Sequence, residues 1–152
     1  MTISDAEVQE LVAAEDRGRD QWIHGVLSWE QPGSITAQAD DSTIFGPFGG
    51  VAPEGRAPVV RPDVQRAIAA QFRGGTGRTE VIRAIVEGDL VILVLVDRSE
   101  VRFEGYDEPQ PWELRITVVF RKLDGRFVRI HRHADPLVKF RDLEGTLALL
   151  TA

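Results

Sequence analysis

The spacing of apolar residues changes once along this chain, and the change restricts what it can fold into. In the first part, Val8, Leu11 and Val12, then Trp22, Ile23, Val26, Leu27 and Trp29, recur at three and four positions, the period of one helical face. From Thr79 onward the runs are those of strands: 79–87, 90–103, 112–122 and 126–134, separated by Gly88-Asp89, the stretch 104–111 and Asp124-Gly125. These breaks read as hairpins joining an antiparallel meander. Helices first and sheet second predict an α+β domain with N-terminal helices covering one face of a curved antiparallel sheet. The run from Leu90 to Val96 is apolar without alternation, so both its faces require cover, one from the helices and the other, most simply, from a partner subunit.

The helical part carries its own punctuation. Ser4-Asp5-Ala6-Glu7 has the form of a capping box, and the apolar stripe behind it predicts one long or kinked helix, weakest at Gly18, reaching Pro32-Gly33. A short helical turn is expected around 34–38, then a turn at Asp40-Asp41-Ser42 and a short strand ending at Gly46. The stretch 46–58 is a loop. Arg61-Pro62-Asp63 opens another helix with Val64, Ala67, Ile68 and Phe72 on its buried side and Gly74-Gly75 as its stop.

Composition excludes several roles. A chain of 152 residues is expected to form one domain over 1–152, with a core that needs no staples. There is no cysteine, so disulfides and thiolate chemistry are absent. A net charge of -6 with scattered arginines argues against nucleic acid as a partner, and no apolar run is long enough to span a membrane. The N-terminal residues show no secretory pattern, which predicts a cytoplasmic protein.

Chemistry concentrates in the last strand run. His131 and His133 lie two apart, and period-two geometry places Arg129 on the same face. A buried imidazole beside a carboxylate, Asp40, Asp41 or Asp135, can serve as acid or base near neutral pH. The same side chains can equally be structural, bonding neighbouring strands or a dimer mate. A metal held by His131, His133 and Asp135 is a third reading, but two histidines and an aspartate at one strand end are a weak signature, and neither a metal nor another cofactor is expected. Trp22, Phe45 and Phe48 are candidate pocket walls together with Arg129, whereas Trp29 reads as core. Glu113, Arg115, Thr117 and Arg121 read as a cross-strand ion-pair ladder. Gly74-Gly75-Thr76-Gly77 follows a helix and precedes a strand, the reverse of a phosphate-cradling order.

These segments resemble a known superfamily. Residues 39–49, Ala-Asp-Asp-Ser-Thr-Ile-Phe-Gly-Pro-Phe-Gly, are similar to the turn-strand-loop segment of ketosteroid isomerases. Asp124-Gly125-Arg126-Phe127 and Ile130-His131-Arg132-His133 resemble the final strand of the calcium/calmodulin-dependent kinase II association domain and of SnoaL-like proteins. All belong to the nuclear transport factor two-like superfamily. The resemblance implies a cone-shaped, cystatin-like α+β domain with a pocket between helices and sheet, and a homodimer packed through the sheet. It does not carry steroid isomerase chemistry: the position of that family's general base, an aspartate before the loop proline, is Gly46. The positions of its oxyanion donors fall on Trp22 and Val118.

Two functional expectations follow. The first is an association or small-ligand-binding module whose cavity takes a small apolar or carboxylate-bearing molecule. The alternative is a lyase or isomerase acting on a small apolar substrate, with His131 as acid or base, His133 and Asp40 beside it.

Overall fold

A computed structural model describes residues 2–52 and 58–152. Helix α1 spans Asp5–Ile23 and opens with the expected capping box: the Glu7 amide donates to Ser4 Oγ at 3.2 Å and the Ser4 amide donates to Glu7 Oε2 at 2.8 Å. It passes Gly18 without a break and stops at Ile23, short of the expected Pro32, because Gly25 takes a left-handed φ of 80° that suits glycine alone. Val26, Leu27 and Trp29 therefore come from the turn that follows, which includes one 3₁₀ turn at Ser28–Glu30. Strand β1, Thr36–Phe45, replaces the helical turn expected at 34–38. Of the predicted loop 46–58, positions 53–57 lie outside the described residues. Helix α2 spans Pro62–Ala69, with proline in its first turn.

Strands β2 (Phe72–Glu87), β3 (Leu90–Phe103), β4 (Gln110–Leu123) and β5 (Arg126–Pro136) form the expected meander. Gly88, Asp124 and Gly125 supply the positive φ angles of the tight turns. The sheet order is β1-β5-β4-β3-β2, and β1 joins β5 in parallel. The α+β class stands, with a mixed open sheet instead of a wholly antiparallel one. A short helix, α3 (Leu143–Leu150), follows the last strand and has no counterpart in the expectation. No helix among the described residues is long and apolar enough to cross a membrane.

The Gly74–Gly77 run does not end a helix. It forms the start of β2, seven residues before the predicted strand, at a register shift opposite Val101. A Cβ on Gly75 would clash with the Glu100 carbonyl oxygen and stand 2.9 Å from Val101 Cα, both backbone atoms. Glycine here permits two backbones to approach, which is why the position tolerates no side chain.

The core falls into two apolar clusters. Ile3, Val8 and Leu11 pack on Val91, Leu93, Leu95, Ile116, Val118 and Phe120 at one end. Ile23, Phe72 and Val101, with Trp22, Ile68, Phe103 and Trp112 against them, form the other. Gly75→Ala is expected to destabilise the fold by about 1–3 kcal/mol, the usual cost of overpacking, read as a lowered urea midpoint at unchanged slope. An unchanged midpoint would show that β2 and β3 are not this close.

Candidate functional site

Between the two clusters, the helix and sheet residues that would continue the core are charged. On α1, Glu15 and Arg19 follow Val8 and Leu11; on β3, Asp97 follows Val91, Leu93 and Leu95; all three are buried. They enclose part of a cavity of about 390 Å³ whose apolar walls include Trp22, Ile23, Phe48, Val64, Ile68 and Trp112. From β5, Arg129 and Arg132 also reach it.

Arg129 Nη2 donates to Glu15 Oε1 at 2.5 Å, and its guanidinium lies 5.5 Å from the Phe120 ring centroid. Arg19 Nη2 donates to Asp16 Oδ1 at 3.2 Å, which also accepts from the Thr79 amide at 3.1 Å. Thr79 Oγ1 donates to Asp97 Oδ1 at 2.8 Å. After these bonds, Nε and Nη1 of Arg19, Nε of Arg129 and Oε1 of Gln38 are buried with no partner among the described residues. Among the described residues, the charged side chains lining the cavity are Arg19, Arg61, Arg129 and Arg132 against Glu15 and Asp97. An acidic protein thus holds a cationic pocket.

Burial is the main influence on the titration of Asp97 and Arg132. It pushes the Asp97 carboxyl above its ordinary range, with the Glu15 charge acting in the same sense; Arg132, the Thr79 hydroxyl and Arg19 oppose it. Burial likewise pushes the Arg132 guanidinium below its usual value, helped by neighbouring Arg129 and opposed by Asp97 and Glu15.

Of the residues singled out in the sequence, Trp22, Phe48 and Arg129 line this cavity, as does Trp29, which was expected in the core, whereas His131, His133, Asp40 and Phe45 do not. The expectation that Arg129 shares a face with the two histidines is corrected by a register shift. Phe120 pairs with Arg129 but Val119 pairs with His131, leaving Ile130 as an extra residue. This bulge reverses the side-chain parity between Arg129 and His131. Arg129 and Arg132 therefore face the helices, and the histidines face the open side of the sheet. There, Thr43 Oγ1 and His131 Nδ1 are 2.7 Å apart, and His133 Nε2 is 2.9 Å from Asp135 Oδ1. Phe45 lies edge-on to both imidazoles, at 5.8 and 5.5 Å. Asp40 is an exposed residue of β1. The ion-pair ladder is present: Glu113 pairs with Arg98, Arg115 with Asp135 and Arg121 with Asp89.

Sequence reasoning missed Glu15, Arg19, Asp97 and Arg132. The first two fall in the core stripe of α1, at i+4 and i+8 from Leu11, and Asp97 continues the inward parity of β3; charge at positions predicted to be core was the available signal.

Because the folded protein holds the Asp97 proton more tightly than the unfolded chain, this group's stabilising contribution is full below its unfolded pKa, about 4. It is lost as pH rises through the raised folded value. Asp97→Asn, which keeps an acceptor for Thr79, is expected to raise the melting temperature at pH 7 to 8 and to give no gain near pH 3.5. A gain independent of pH would contradict the assignment.

No family model and no curated protein matches this sequence. Solved structures do. The chain is similar to a nuclear transport factor 2-like superfamily protein from Salmonella enterica serovar Typhimurium, with 14% identity and a TM-score of 0.62 over 90% of this chain and 95% of that one. It is similar to the association domain of C. elegans CaMKII, with 17% identity, 86% and 96% coverage and a TM-score of 0.57. An NTF2-like protein of unknown function from Shewanella baltica shows 10% identity, 89% and 99% coverage and a TM-score of 0.56. The helices, the five-stranded mixed sheet and these likenesses agree: the chain has the nuclear transport factor 2-like fold.

Proposed function

We propose that this protein is an association module that also binds a small carboxylate-bearing molecule in its helix–sheet cavity. The observation carrying the ligand reading is the set of buried guanidinium N–H groups on Arg19 and Arg129 that no described residue accepts from. Buried donors without acceptors are costly, and a planar carboxylate matches the guanidinium fork. The walls of Trp22, Phe48, Val64 and Ile68 suit an apolar body attached to that anion, and the cavity volume lies in the range of small-molecule sites.

The association reading rests on the other face of the sheet. Val91, Leu93 and Leu95 point inward and are essentially inaccessible. Their neighbours Ile92, Val94 and Val96 remain only half-buried, beside Val119 on β4 and Ile85 on β2 in the same lateral rows. Such a face pairs naturally with a second copy related by a two-fold axis, and the Arg98–Glu80 and Arg98–Glu113 pairs, at 3.0 and 3.3 Å, would set its register. Likeness to an association domain supports the same reading. His131 and His133 then belong to this interface. An acid or base role for His131 toward a cavity ligand has no geometric support, since the sheet separates them.

The ligand reading is tested by calorimetric titration with 4-phenylbutyrate and its primary amide. The acid is expected to bind at least about tenfold tighter, the scale of one charge-assisted hydrogen bond, and Arg19→Met to abolish that preference. Equal affinity for acid and amide, or a preference unchanged in the variant, would refute it. For association, light scattering at micromolar concentration is expected to give a dimer, and Val94→Arg a folded monomer; a wild-type monomer would refute the interface.

A further inference from the structure

The chain after β5 is the least satisfied part of the described structure. No residue of α3 is buried. Leu143, Leu147 and Leu150, at i, i+4 and i+7 on one helical face, are 74%, 50% and 74% exposed, and Phe140 in the connecting segment is fully exposed. The side-chain hydrogen bonds of α3 are local: Asp142 caps it through the Gly145 amide at 2.8 Å, and the hydroxyls of Thr146 and Thr151 bond carbonyls of the same segment. An eight-residue helix with an uncovered leucine stripe gains little stability by itself, so a covering surface is required.

The topology brings one to it. Because β1 runs parallel to β5, with Phe45 beside His133, the segment after β1 leaves the sheet at the same end as the segment after β5. The former carries Phe48 and Val51, both 66% exposed although both line the cavity. The latter is anchored at that rim: the Leu137 amide donates to the Glu113 carbonyl at 2.9 Å, between the cavity-lining Trp112 and Leu114. Phe48 and Trp112 have ring centroids 6.0 Å apart. Six residue steps from Leu137 to Leu143 reach at most about 20 Å, enough to bring α3 across this opening.

We infer that α3 is a lid for the cavity, described here in its open position, with Leu143, Leu147 and Leu150 closing on Phe48 and Val51. The inference uses the cavity of the preceding reading but not its ligand class. Closure would withdraw the exposed apolar residues of both segments from water together and shield the arginine-rich interior, where charge interactions strengthen as solvent is excluded.

The chain has no cysteine, so paired substitutions report proximity cleanly. Phe48→Cys/Leu147→Cys and, as a second pair in case the first fails to fold, Val51→Cys/Leu147→Cys are oxidised without ligand. Ile82→Cys/Leu147→Cys serves as control, since Ile82 is 62% exposed on β2, the opposite edge strand. A lid predicts an intrachain disulfide in the rim pairs forming at least about tenfold faster than in the control, because the tether raises effective concentration at the rim. Equal rates in rim and control pairs, or only interchain disulfides, would overturn it. Either result leaves the acid-versus-amide preference to be decided by its own titration.

Discussion

A layer of charge placed where helix and sheet would otherwise meet as apolar core determines the rest of this molecule. Glu15 and Arg19 interrupt the buried stripe of α1, and Asp97 interrupts the inward row of β3. Charged side chains bridge helix and sheet here as a pair, Glu15 with Arg129, and do not interdigitate as Val8 and Leu11 do with Leu93 and Phe120. The core therefore divides into two clusters, and the space between them persists as a cavity with apolar walls and a polar floor. Replacing those charges by leucine would leave an apolar cavity without its chemistry.

The bulge at Ile130 supplies the second half of the arrangement. Without it, strict alternation would send Arg129 and both histidines to one side. With it, two arginines enter the cavity while His131, His133 and Asp135 join the open face. One strand thereby serves two surfaces of different character: a cavity wall carrying Arg129 and Arg132, and an outer face carrying His131, His133 and Asp135. Parallel pairing with β1 keeps the mouth-forming segment and the C-terminal arm at one end of the sheet.

Much of the architecture was legible because it rests on local rules. The Ser4–Glu7 capping box, the Gly88-Asp89 and Asp124-Gly125 turns and the strand runs between them all appear where spacing and turn chemistry put them. The end of α1 was not legible, since the apolar period continues through Val26 and Leu27 while a left-handed Gly25 stops the helix. Nor was the start of β2, where Gly74, Gly75 and Gly77 read as a break but Gly75 and Gly77 serve the close approach of two strands. The site was legible in part. Trp22, Phe48 and Arg129 were legible as candidates, but period-two reasoning cannot see a bulge and so put Arg129 on one face with the two histidines. Asp97 and Arg19 were hidden by long-range packing: a charged residue in an apolar row looks like an interruption until the opposing row is known.

Binding of an anion by the buried, unpartnered donors of Arg19 and Arg129 is what gives the cavity its role. It is tested most directly by ¹⁵N-¹H spectra of arginine Nε–H groups, assigned by single substitution, recorded while 4-phenylbutyrate is added. The account predicts that the Arg19 and Arg129 signals move together and saturate while those of the surface pairs Arg78 and Arg115 stay fixed, and that the neutral amide leaves all of them in place. Signals from Arg19 and Arg129 that do not respond to the acid, or that respond equally to the amide, would contradict it.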